Sequence, residues 1–98
     1  MKDKKSKHEI LARKLTYRGR VQGVGFRYSV KQLMTGFEVC GYVRNMIDGS
    51  VELWIQGERG EMDAAAKAIS ESHLLGFIQE VETDEETVDE SMKGFEIR

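Results

Sequence analysis

The segment that most restricts how this chain can fold is Gly19-Arg20-Val21-Gln22-Gly23-Val24-Gly25-Phe26-Arg27, with three glycines between positions 19 and 25. Ahead of it, Leu11, Leu15, Tyr17 and Val21 alternate with Lys14, Thr16, Arg18 and Arg20, the period of a half-buried strand. Behind it, Phe26, Val30, Leu33, Met34 and Phe37 recur as one apolar stripe at helical spacing. The chain therefore changes period across a glycine-rich turn. Glycine reaches positive φ without steric cost, so consecutive backbone N–H groups can converge on one point there. The opening helix adds unpaired N–H groups and the positive end of its dipole. Arg27, in its first turn, offers a planar fork of donors suited to a phosphate or carboxylate. The segment reads as an anion cradle of phosphate size. Spacing alone fits a ligand-free strand-to-helix turn equally well. A Walker loop is excluded because Phe26-Arg27 follows Gly25, and a dinucleotide fingerprint is excluded because Tyr28 stands where its third glycine belongs.

Beyond the cradle, Val39, Tyr42 and Val43 suggest a second strand ending at Arg44-Asn45. Met46-Ile47-Asp48-Gly49 carries an Asp-Gly hairpin signal. Val51, Leu53 and Ile55 then alternate with Glu52, Trp54 and Gln56, which predicts a third strand antiparallel to the second. Glu61 to His73 reads as a second helix with Met62, Ala65, Ala66 and Ile69 inward, and His73 is a structural residue in its last turn. Phe77 to Val81 reads as a short fourth strand, Glu82 to Glu90 as a solvated acidic loop, and Phe95 to Arg98 as a short final edge strand. This order is that of a ferredoxin-like βαββαβ sandwich, an α+β fold with a mostly antiparallel sheet and both helices on one face.

Other chemistries find little support. The acidic run lacks the glycine and ligand spacing of a calcium loop, and no His, Cys or carboxylate pair has structural-zinc spacing. Met92-Lys93-Gly94-Phe95 is superficially like an RNA-recognition motif, but it lies on the last strand and not an inner one. Neither histidine is expected near a serine or cysteine in a triad. A formal net charge of −2 gives no reason to expect nucleic acid or an anionic membrane as partner, and no apolar run is long enough to span a bilayer. Residues 1–8 form a lysine-rich stretch that reads as a disordered tail without the apolar segment of a signal peptide, leaving one domain over 9–98. The single Cys40 cannot make an internal disulfide and reads as a small packing residue, consistent with a reducing cytoplasm.

Gly-Arg-Val-Gln-Gly-Val-Gly-Phe-Arg at 19–27, followed by Gly-Tyr-Val-Arg-Asn at 41–45, resembles the signature pair of the acylphosphatase family. The likeness continues through Asp48-Gly49-Ser50-Val51 and Gln56-Gly57 to Gly94-Phe95-Glu96-Ile97-Arg98. It implies metal-independent hydrolysis of a small acyl phosphate to carboxylate and phosphate by a cytoplasmic monomer, with inorganic phosphate as product and inhibitor and no cofactor. It also implies that the backbone of Gln22, Gly23, Val24, Gly25, Phe26 and Arg27, with the Arg27 side chain, binds the phosphoryl oxygens. Asn45 then orients the attacking water. The chain departs from the family pattern near Met34, where a small residue is usual, and at Glu38, where a glycine is usual; the nearby Gly36 is expected to end the first helix early in a left-handed cap. That larger residue is expected to hold the helix further from the sheet. A rival reading is a non-catalytic module of the same family that binds a phosphorylated or carboxylated partner, like the domains at the head of larger hydrogenase-maturation proteins. That this chain ends directly after the fold, and that it carries both Arg27 and Asn45, favours the enzyme, since binding alone needs only the cradle and Arg27.

Overall fold

The computed structural model of the chain describes residues 9–98, so the expected tail over 1–8 lies outside the described residues. Strand β1 (Ile10–Gly19) enters the cradle and helix α1 (Phe26–Met34) leaves it. Strands β2 (Val39–Asn45) and β3 (Val51–Glu58) follow, then helix α2 (Arg59–Ser70), a short 3-10 helix (His73–Phe77), β4 (Ile78–Glu86) and β5 (Phe95–Ile97). The five strands lie in the order β4-β1-β3-β2-β5. All pairings are antiparallel except β2 with β5, which is parallel. Phe26, Val30 and Met34 of α1 and Met62, Ala65 and Ile69 of α2 share one core with Leu15, Tyr17, Val43, Leu53 and Ile55 of the sheet. Both helices therefore cover the same face.

Four expectations are corrected. The acidic residues from Glu82 to Glu86 are not loop but the outer half of β4, at the sheet edge. What supports a strand of such poor β-formers is its neighbour: Lys14 lies opposite Asp84, Arg13 opposite Glu85 and Arg18 opposite Glu80. Opposite charges across an antiparallel pair stabilise it. Helix α2 ends at Ser70, and His73 opens the 3-10 helix that follows, where Ser72 Oγ accepts the N–H of Leu74 at 3.1 Å. His73 Nε2 also lies 3.3 Å from Ser29 Oγ on α1, a serine neighbour that the linear sequence conceals.

The first helix does stop early, at Met34, but Gly36 is not among the positive-φ glycines. Its last turn tightens instead, with the N–H groups of Thr35, Gly36 and Phe37 donating to Gln32, Leu33 and Met34. These three-residue bonds satisfy the terminal carbonyls, so no left-handed residue is needed. The side chain of Met34 is buried in the core.

The sheet's other face is more closed than simple alternation predicts, since Glu52, Trp54 and Gln56 are buried as well. Trp54 stacks parallel to Tyr42 with ring centroids 6.1 Å apart, and the guanidinium of Arg98 lies 4.2 Å from the Tyr42 centroid. Glu52 accepts from the Tyr42 hydroxyl and from Arg44. Gln56 exchanges two hydrogen bonds with the backbone of Asp89, which draws the β4–β5 connection across this face. Gly41 makes the crowding possible. At φ 150° it lets β2 approach β3 so closely that a Cβ there would stand 1.8 Å from the Trp54 carbonyl oxygen.

Candidate active site

Between the end of β1 and the start of α1, Gly23 and Gly25 both take φ 78°, in the left-handed region. A Cβ at either would meet nothing within 4 Å, so the dihedral and not lack of space selects glycine. Gly25 caps α1, and among the described residues no side-chain hydrogen bond caps the helix's first N–H groups. Left-handed residues thus alternate with ordinary ones directly ahead of the α1 N-terminus, a backbone arrangement that can turn N–H groups toward a common point.

The loop is held from below and from the side. Val21 and Phe26 are core residues at its two ends, and Phe26 packs on Tyr17 with centroids 5.3 Å apart. The Gln22 side chain turns away from the cradle and donates to the carbonyls of Met46 at 2.8 Å and Ser50 at 2.9 Å. That staple ties the cradle to the β2–β3 hairpin. The hairpin is itself fixed by Asp48, whose carboxylate accepts from both the N–H and the hydroxyl of Ser50, and by Gly49 at φ 95°. Those Ser50 bonds, then Arg18, hold the Asp48 carboxyl below the usual carboxylate range.

A pocket of about 180 Å³ opens over the cradle, lined by Gly23, Gly25, Phe26, Arg27 and Asn45, with Val21, Tyr28 and Ile97 completing its walls. The structure thus brings together five of the seven expected site residues. Gln22 and Val24 do not line it; Gln22 is the staple, and Val24 is half-buried against the core. Arg27 comes from the first turn of α1, and its Nη1 donates to the main-chain oxygen of Arg98 at 3.1 Å. Arg98 is placed for this by its own N–H, which donates to Val43 in β2 at 2.8 Å. Asn45 ends β2, and among the described residues its side-chain amide has no hydrogen-bond partner. Sequence reasoning missed Tyr28, Ile97 and Arg98 as site components. Only the proximity of Tyr28 to Arg27 in sequence could have signalled one of them, because β5 reaches the pocket through a long-range parallel pairing.

Cys40 is half-buried away from this pocket, near the Met92 carbonyl and Gln56. Burial pushes its thiol up, with the Asp89 charge adding to the effect, which fits a packing role. Among the described residues, no three His, Cys, Asp or Glu side chains converge as metal ligands, and no helix is long and apolar enough to cross a membrane.

The acylphosphatase family model matches residues 13–97. The chain belongs to the acylphosphatase family, a family of hydrolases. An acylphosphatase of Acaryochloris marina is 35% identical over 88 residues, which cover 90% of this chain and 94% of that one. An acylphosphatase of Rubrobacter xylanophilus is 39% identical over 80 residues, 82% of this chain and 73% of the relative. Among solved structures, the acylphosphatase from Bacillus subtilis superposes with a TM-score of 0.81 at 28% identity, covering 90% of this chain and 98% of that one. The ferredoxin-like reading of the strand order agrees with this likeness.

Proposed function

We propose that this acylphosphatase-family chain hydrolyses the carboxyl–phosphate bond of acyl phosphates without a metal ion, binding the phosphoryl group in the cradle over Gln22–Arg27 and holding the attacking water with Asn45. The observation that carries the reading is the meeting, in one pocket, of two left-handed glycines at a helix N-terminus with Arg27 and with Asn45, whose amide has no partner among the described residues. Phosphoryl transfer spreads charge over three equatorial oxygens, so positioning and electrostatic stabilisation supply most of the acceleration. Backbone N–H groups and one guanidinium provide both. The leaving group is a carboxylate, which needs no strong general acid. Asn45 cannot take a proton at neutral pH, so its part is to orient the water through its amide. The Arg98 main-chain oxygen holds the Arg27 fork in place, leaving its other donors for the phosphoryl oxygens.

The reading extends to a catalytic unit over 9–98 that acts as a cytoplasmic monomer and is inhibited competitively by inorganic phosphate. It is tested by phosphate release from acetyl phosphate and from 4-nitrophenyl phosphate, each with excess chelator. Turnover of the acyl phosphate, with little of the monoester, is expected. Loss of activity with chelator and its return with magnesium would overturn the metal-free mechanism.

A further inference from the structure

We propose that Tyr28 and Ile97 form a rim subsite for the acyl group, and that it selects acyl phosphates whose acyl chain is apolar and longer than acetyl. The inference rests on the phosphoryl end lying in the cradle as proposed above. Scattered exposed apolar side chains are ordinary on a protein surface. These two differ in position, because both line the pocket that Arg27 and Asn45 share. Tyr28 is 63% exposed and Ile97 39%, while the other apolar lining residues, Val21 and Phe26, are buried in the core beneath. Tyr28 follows Arg27 in α1, and Ile97 precedes Arg98 in the chain. They therefore flank the contact between the Arg27 guanidinium and the Arg98 main chain.

Volume decides where the acyl chain goes. The pocket's 180 Å³ is well below the roughly 300–1,000 Å³ of sites that enclose a whole small molecule. The phosphoryl head and the attacked bond occupy the inside, and the acyl group must leave across the rim. Charge decides which acyl group suits it. Among the described residues, Arg27 is the only charged side chain lining the pocket. Arg98, whose main-chain oxygen meets Arg27, does not line the pocket with its own side chain; its guanidinium lies over the Tyr42 ring and pairs with Glu96. An acyl group bearing a carboxylate or a second phosphate would lose hydration at this rim without gaining an ion pair. An alkyl or aryl chain would bury apolar surface against Tyr28 and Ile97.

The test compares acetyl phosphate with hexanoyl phosphate, whose leaving carboxylates have closely similar basicity, so that the readout is binding at the rim. The kcat/KM ratio of hexanoyl to acetyl phosphate is expected to be about tenfold in the unmodified protein, the equivalent of two methylenes leaving water. It should fall to about threefold in Tyr28→Ala and in Ile97→Thr, and to about one in the double variant. Tyr28→Ala alters an exposed helix position, so it keeps the test decisive if changes at Ile97 disturb β5. Equal kcat/KM for the two substrates in the unmodified protein would overturn the subsite while leaving the hydrolase reading intact. A ratio that survives Tyr28→Ala, with both rates and phosphate inhibition weakened together, would instead assign Tyr28 to the cradle and overturn the subsite. Hydrolysis of neither substrate would remove the hydrolase reading and the subsite with it.

Discussion

The sheet has two edges built on opposite plans. On one side β4 is nine residues long, exposed along most of its length, and paired with β1 from Ala12 to Gly19. Its acidic side chains meet arginines at the surface, Glu82 with Arg18 at 3.1 Å and Glu85 with Arg13 at 3.8 Å. On the other side β5 has three residues, yet its backbone is gripped from two directions. It pairs with β2, and α1 reaches across to it: Lys31 donates to the Phe95 carbonyl at 3.0 Å, and Arg27 to the main-chain oxygen of Arg98. The long edge depends on its ladder and contributes nothing to the pocket walls. The short edge has little ladder of its own, and its attachment is also what orients the pocket arginine. Strand length thus says little about functional weight; the destination of the main-chain oxygens says more.

The comparison can be broken most severely at the pocket. Arg27→Lys keeps the charge but loses the fork, and should lower turnover on the order of 10²–10³ while weakening phosphate inhibition. Asn45→Ala should lower turnover by about 10² with phosphate inhibition retained, since the cradle is untouched. Steady-state rates and phosphate inhibition constants in folded variants separate the two roles. Equal loss of phosphate affinity in both would place Asn45 in the cradle.

A smaller but still large effect is expected beside the short edge, at Gly41. A Cβ at φ 150°, 1.8 Å from the Trp54 carbonyl oxygen, cannot be accommodated without moving β2 from β3. Gly41→Ala should cost about 2–4 kcal/mol of stability, read from denaturant unfolding. An unchanged midpoint would mean that the close approach is absent in solution.

The smallest effects set the two edges directly against each other. Lys31→Met removes the tether to β5 and should cost about 1 kcal/mol, with a several-fold loss of turnover as Arg27 loses its seat. Glu82→Gln on β4 removes an exposed ion pair and should leave both the unfolding midpoint and turnover unchanged within error. If Glu82→Gln proved the more damaging of the two, the functional asymmetry between the edges would be wrong.

Local signals were legible in the chain and distant ones were not. The glycine turn could be read because its glycines and Arg27 fall within nine consecutive residues and the strand and helix periods flank it directly. The hairpin could be read because Asp48-Gly49 is itself the turn, as the φ of 95° at Gly49 shows. The length of β4 could not, because Asp84 and Glu85 become strand residues through Lys14 and Arg13, some seventy positions earlier. The same holds for the proximity of His73 to Ser29, and for the arrival of Ile97 and Arg98 at the pocket. At Gly36 the residue type suggested a left-handed cap, whereas the bonds of the last turn made one unnecessary.

The parallel docking of β5 on β2 also has a consequence for the newborn protein. The pocket's floor and one wall come from residues 21–28, while Ile97 and Arg98 are made some seventy residues later. Chains emerge from the ribosome N-terminus first, so the glycine turn and α1 can form long before the opposite wall exists. A nascent chain would carry an open half-site, with Arg27 unanchored, until β5 was released and paired. Competence for the reaction would then wait on the release and pairing of β5, however early the glycine turn had formed.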